Sequence, residues 1–225
     1  MVLPYSLRYH EAMPTLDFKK QDKNLYQPTS RPAVVNAPEM TFIMVDGEGN
    51  PNEPGGSYQQ ALEVLYALSY AIRMGGKKGD FPIPHYEEYV VPPLEGLWWT
   101  SETTAPADKG QFRWTSMIRQ PGFVTRQVFD HALSSVTRKK KHLDVSRARF
   151  QTFTEGLCVQ CMHTGPYDAE PATLALMHEF MERERLAPDV SGPRTHHEIY
   201  LSDPRKTAPD KLKTVLRIPV KPQGS

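Results

Sequence analysis

An internal repeat constrains this chain more than any other feature. His85-Tyr86-Glu87-Glu88-Tyr89-Val90-Val91-Pro92-Pro93 aligns with His196-His197-Glu198-Ile199-Tyr200-Leu201-Ser202-Asp203-Pro204 at a constant offset of 111, so His85, Glu87, Tyr89 and Pro93 meet His196, Glu198, Tyr200 and Pro204. Such a repeat predicts two copies of one supersecondary unit, and it governs how the intervening elements are assigned. The second copy reads as a strand closed by a turn, with one acidic group among apolar and aromatic neighbours.

A chain of 225 residues can bury a sizeable core without disulfides. Its 27 basic and 26 acidic residues give a net charge of +1, which provides no overall field for nucleic acid or an anionic membrane. No stretch approaches the ~18 apolar residues of a membrane span, so a soluble, cytoplasmic protein, monomeric or weakly dimeric, is expected. Cys158 and Cys161 form a C-x-x-C, but on a strand residues three apart face opposite ways, so the thiols are expected to be buried and inert.

Residues 1–37 are polar and punctuated by prolines, and are read as an N-terminal arm with no helix-turn-helix pattern; 38–222 are read as one domain. Repeat 1 covers about 38–121, a connecting helix 124–143, and repeat 2 about 150–222. Met40–Val45 reads as a strand, and the glycine-bearing loop after it has neither phosphate-binding spacing. Ser57 caps a helix from Tyr58 to about Met74, stopped by Gly75-Gly76. Tyr86–Val91 and Gln111–Arg119 then read as strands, the latter with Phe112 and Trp114 on one face and Met117 on the other. Thr125 caps the connecting helix, whose terminal Arg138-Lys139-Lys140-Lys141-His142 complements the helix dipole. The second half supplies a strand over Glu155–Met162, a helix over Ala169–Leu186 capped by Asp168, the strand of the repeat, and a last strand over Lys213–Val220. Each half runs strand, helix, strand, strand. The predicted fold class is α+β: two such modules in one antiparallel sheet, helices packed on it, and a ligand cleft about the pseudo-two-fold axis.

An interior strand carboxylate is costly to bury unless it is paired, which makes it the most informative residue type here. Glu87 and Glu198 are the candidates, and Glu198 has the more apolar surroundings. Alternation turns Glu198 the same way as His196 and Tyr200 and away from His197. Tyr66 and Tyr70 stack one helical turn apart, and Trp98 and Trp99 must face opposite ways. A carboxylate in an aromatic box can hold a flat cationic or polarisable ligand, or orient a water with a tyrosine hydroxyl assisting. The adjacent His196 and His197 diverge, no metal-ligand spacing is found, and no cofactor is expected.

Phe42–Asn52, Val64–Ile72, Pro93–Trp98, Met117–Pro121, Gly165–Pro171, His197–Leu201 and Lys211–Arg217 together resemble the stand-alone GyrI-like small-molecule-binding proteins. The resemblance covers roughly 15–220, in order. It implies the fold of the effector domains of multidrug-sensing regulators, with a glutamate on the floor of a central cleft. Some stand-alone members are cyclopropanoid hydrolases, so the resemblance implies water addition to strained cyclopropanes, with binding without catalysis, as a drug sponge or sensor, as the alternative. It implies Glu198 as the water-activating carboxylate and Tyr66 or Tyr70 as its hydroxyl partner. Trp98, Tyr167 and Tyr200 would form the walls, with Met117 and Trp99 as further ligand contacts, and an aromatic small molecule as the partner.

Overall fold

β-branched and apolar residues alternate with polar ones from Ala33 onward, and the first strand built from them is 16 residues long. The structure, a computed structural model, describes residues 15–100 and 109–224. In chain order the elements are α1 (Phe18–Gln21), α2 (Lys23–Tyr26), β1 (Ala33–Glu48), α3 (Ser57–Lys78), β2 (Leu94–Thr100), β3 (Phe112–Arg119), α4 (Arg126–Lys139), β4 (Ala148–Thr164), α5 (Glu170–Arg183), β5 (Leu186–Pro188), β6 (His196–Tyr200) and β7 (Lys213–Pro222).

The strands are ordered β4-β1-β3-β2-β6-β7-β5, all paired antiparallel, and β4 also pairs with β7. The seventeen-residue β4 is long enough to serve both partners: 148–160 face β1 and 158–164 face β7. Six strands therefore close into a ring, with β5 appended outside β7.

Closure gives the sheet an inside and an outside. Inside lie Val35, Phe42, Met44, Leu97, Met117, Phe153, Cys158, Ile199 and Val215, capped by Phe18, Leu25 and Tyr26 from the stretch read as an arm. Residues 1–14 of that stretch lie outside the described residues. Outside, α3 and α4 cover β1, β2 and β3 through Val64, Leu65, Leu68, Phe129, Trp114 and Ile118. On the other half α5 covers β4 and β7 through Met177 and Met181. Cys158 packs inside and Cys161 outside, both buried and free, as alternation requires.

Three local expectations are corrected. Tyr86–Val91 is not a strand of the sheet: its one backbone bridge, parallel from Tyr89, goes to Leu16, which is itself outside the sheet, while Tyr86 and Val91 pack on the outer core through their side chains. Prolines on both sides and the left-handed backbone of His85 (φ 58°) break the extended run, and Glu87 is exposed. The strand that answers β6 is β2, immediately after Pro92-Pro93. Second, α3 differs at both ends: it starts at Ser57 itself, with Gly56 in the cap position and no side-chain cap, and it continues through Gly75 and Gly76 to a left-handed cap at Gly79. The bare glycines admit aromatic rings: a Cβ at Gly75 would sit 2.3 Å from Phe81, and one at Gly76 2.3 Å from Tyr86. Third, Asp168 does not cap α5. A 3₁₀ turn over Tyr167–Ala169 comes first, α5 starts at Glu170, and it stops at Arg183, leaving Leu186 to β5.

Candidate functional site

β2 and β6 lie side by side, with Gly96 opposite Glu198 and Trp98 opposite His196. Cross-strand partners share a face, so Gly96 leaves open the space in front of Glu198. A Cβ at Gly96 would lie 2.6 Å from Trp98 Nε1 and 3.4 Å from the Tyr200 hydroxyl. The indole and the phenol fill that gap instead. Tyr200, two residues beyond Glu198 on the same face, donates its hydroxyl to Glu198 Oε2 at 2.7 Å and accepts from Trp98 Nε1 at 2.9 Å. His196 Nε2 stands 3.3 Å from Glu198 Oε1. Glu198 is thus held on both carboxylate oxygens by its own strand.

The floor opens into a cleft of about 2450 Å³ bounded by α3, the start of α5 and the segment after β6. That exceeds the roughly 300–1,000 Å³ of a compact drug site, so it spans a groove as well as a pocket. Tyr58, at the start of α3, stacks tilted on Trp98 with ring centres 5.4 Å apart and meets Trp114 edge-on at 5.1 Å. Burial, with Glu198 nearby, pushes its phenol up, and burial and Glu198 do the same for Tyr200. Tyr167 meets Tyr200 edge-on at 5.8 Å from the opposite wall.

Glu170 enters from the first turn of α5 and is 8% exposed. His163 sets its approach: one ring nitrogen bonds the Pro166 carbonyl at 3.1 Å and the other Thr173 Oγ1 on α5 at 2.9 Å, pinning the turn between β4 and α5. Burial, and then the neighbouring charges of Glu198 and Asp168, raise the Glu170 carboxyl to about 9. It therefore holds its proton at neutral pH beside an acceptor-rich neighbour. Asp168 itself is exposed and pairs with Lys109 at 3.2 Å.

The inner face of the same strands carries a second, closed polar network. Here His197 lies between two carboxylates, with Nε2 3.0 Å from Glu95 Oε2 and Nδ1 3.0 Å from Glu155 Oε2. Arg217 donates to Glu155 at 2.7 Å and Tyr26 to Glu95 at 3.1 Å. Burial pushes Glu155 up, but His197 and Arg217 outweigh it and bring the carboxyl down to about 2. Burial pushes His197 down, but Glu155 and Glu95 outweigh it and lift the ring to about 9. Two acceptors on one imidazole require both nitrogens to carry hydrogen.

Of the residues singled out from sequence, Glu198, Trp98, Tyr167 and Tyr200 come together at the floor. Tyr66 and Tyr70 lie higher on the α3 wall, 38% and 49% exposed and 6.4 Å apart, and the phenol that bonds Glu198 is Tyr200. Met117 is a correction: it is fully buried on the inner face, because β3 turns Trp114 toward the cleft side and Met117 away. Trp99 packs against the inner cluster and also borders the cleft. Tyr58, Glu170 and His196 were not singled out. Strand alternation puts His196 on the face of Glu198, and Glu170 lies within Gly165–Pro171, two residues after the expected cap Asp168.

A family model described as the GyrI-like small molecule binding domain matches residues 31–221, and the chain belongs to that family. It is similar, at 46% identity, to the crystal structure of a hydrolase from Listeria innocua, with a TM-score of 0.83 over 92% of this chain and 100% of that one. An uncharacterized conserved protein from the same organism is 47% identical, with a TM-score of 0.87 over 92% and 100% of the two chains. The C-terminal domain of EcmrR, at 12% identity and a TM-score of 0.52 over 85% of this chain and 98% of that one, shares the fold. A comparison with curated protein sequences finds no match. Among the described residues no helix is long and apolar enough to cross a membrane.

Proposed function

We propose that the chain binds flat aromatic molecules in the cleft between α3 and α5 and hydrolyses strained cyclopropanoid electrophiles there. The observation that carries this reading is the Glu198 carboxylate, oriented by the Tyr200 hydroxyl and set among aromatic rings, with a second carboxyl beside it. The hydrolase name of a relative at 46% identity supports the same direction.

In this reaction Glu198 takes a proton from water as the oxygen bonds to a cyclopropane carbon. The strained ring C–C bond breaks, and its electron pair moves into the conjugated dienone, whose oxygen gains charge. Glu170 gives that oxygen its proton, and proton passage from Glu198 to Glu170 restores both groups, so substrate and one water become one phenolic alcohol. Tyr200 holds Glu198 in place, and Tyr58, Trp98 and Tyr167 form the walls. Tyr66 and Tyr70, on the open side, meet the distal part of a long ligand.

The test is mass-spectrometric: protein at a tenth of the concentration of a cyclopropane-fused dienone, followed for the product of water addition beside Glu198→Gln. Product beyond one equivalent, lost in the variant, is the expected result. Protection of substrate that stops at one equivalent, without product, replaces the hydrolase reading with a non-catalytic binder.

A further inference from the structure

Three side chains from two elements meet at one point of the cleft floor. Glu170 of α5 and His196 and Glu198 of β6 each offer a ligand atom, and these atoms all lie within 4.8 Å of one another. Glu170 is 8% exposed and its Oε1 has no hydrogen-bond partner, which is a costly way to leave a buried oxygen. Glu198 uses Oε2 to accept from Tyr200 and keeps Oε1 toward His196 Nε2.

We infer that Glu170, His196 and Glu198 form a binding site for one first-row divalent cation, with Zn²⁺ as the best-fitting common ion. Two carboxylates and an imidazole are a donor set for such ions, which bind N and O atoms at about 2.0–2.2 Å. Tetrahedral donors around so small an ion stand closer together than 4.8 Å, so small side-chain rotations toward the centre complete the shell. The outer support is already built. Trp98 Nε1 bonds the Tyr200 hydroxyl and that hydroxyl bonds Glu198, which fixes the plane of the carboxylate. Three protein donors leave a fourth position facing the cleft, the open geometry of a site that exchanges ligands. Mg²⁺ fits poorly, because it asks for about six oxygens in an octahedron and resists an imidazole.

A bound ion takes the place of the Glu170 proton and occupies the carboxylate that serves as base in the hydrolytic reading, so the two uses of the site exclude each other in any one molecule; the inference does not rest on that reading, since it is tested with metal ions alone. The full chain, stripped with chelator and dialysed, is titrated with Zn²⁺ by calorimetry and with Co²⁺ by visible absorption. One equivalent of Zn²⁺ is expected, unaffected by excess Mg²⁺, with Co²⁺ giving ligand-field bands of low-coordinate character. Glu170→Gln and His196→Gln, each checked for an unchanged circular-dichroism spectrum, are expected to weaken Zn²⁺ at least tenfold, while His178→Gln on the exposed side of α5 leaves it unchanged. Glu198→Gln provides a third variant should one of the others misfold. Absence of a one-equivalent event, or binding that survives all the properly folded site variants, overturns the inference.

Discussion

Tyr200 spans the distance between Trp98 and Glu198: it accepts from the indole at 2.9 Å and donates to the carboxylate at 2.7 Å. One phenol therefore couples a ring of β2 to the acidic group of β6. Its removal leaves the indole N–H without its acceptor and Glu198 free to turn. Tyr200→Phe is expected to lower turnover of a cyclopropanoid substrate by about 10²-fold, in the range of a single lost hydrogen-bond donor at an active centre. Stability is expected to fall by about 1–3 kcal/mol for the stranded group. Steady-state kinetics and urea unfolding check the two, and unchanged turnover removes Tyr200 from the working site.

Gly96 faces Glu198 across the β2–β6 pair, and the indole of Trp98 occupies the space a side chain would need. Gly96→Ala forces that ring outward. The expected cost is about 1–3 kcal/mol of stability from overpacking, together with a shift in tryptophan emission and weaker ligand binding. Fluorescence titration with a planar aromatic ligand is the measurement; wild-type affinity in the alanine variant contradicts the placement of Trp98 on the wall.

Tyr66 and Tyr70 are exposed on the α3 wall and tilt toward each other with ring centres 6.4 Å apart. Replacing either by Ala is expected to change stability by less than about 0.5 kcal/mol, as at ordinary surface positions. Affinity for a long aromatic ligand is expected to fall about 3- to 10-fold, the size of one aromatic contact of about 0.5–1.5 kcal/mol. Calorimetry on both variants decides it: equal affinities mean that ligands do not reach this part of the groove.

The inner network predicts a pH dependence that has nothing to do with ligands. Glu155 is depressed from 4.5 to about 2, against its burial, by His197 and Arg217, with Glu95 across the imidazole. A depressed carboxyl contributes stability that is present above its unfolded value and lost as pH falls through the folded one. Unfolding free energy is therefore expected to decline between pH 4.5 and 2 by an amount on the order of 3 kcal/mol from this group. Arg217→Met leaves Glu155 and Glu95 facing His197 alone and is expected to cost about 3–5 kcal/mol at pH 7. Urea melts across that pH window, compared with Glu155→Gln, test the assignment.

Much of this was legible because strand alternation is a short-range rule. It separated His196 from Glu198's inner neighbour His197, sent Trp98 and Trp99 to opposite faces, and kept Cys158 from Cys161. Matching residue types misled where backbone chemistry spoke against a strand. Tyr86–Val91 shares letters with β6, but its prolines and the left-handed His85 decide its path, and a Gly-Gly pair that normally ends a helix instead lets Phe81 and Tyr86 pack on α3. What stayed illegible is long-range. Glu170 and Tyr58 reach Glu198 only because α5 and α3 both lean over the β2–β6 pair, and the His197 network draws on β2, β4, β6, β7 and α2 at once.

Ring closure by β4 has a consequence for how this cleft accepts guests. The two halves of the chain are stitched together along β2–β6 beneath the floor and again along β1–β4 on the far side. They have no hinge about which to swing apart, and a guest cannot make room for itself by prying the modules open. Accommodation falls to rotamers of the wall aromatics and to the segments that border the groove. Guests of different shape should therefore be welcomed or refused by side-chain rearrangement above a stiff bed, with the backbone of β2 and β6 in the same position whichever guest is present.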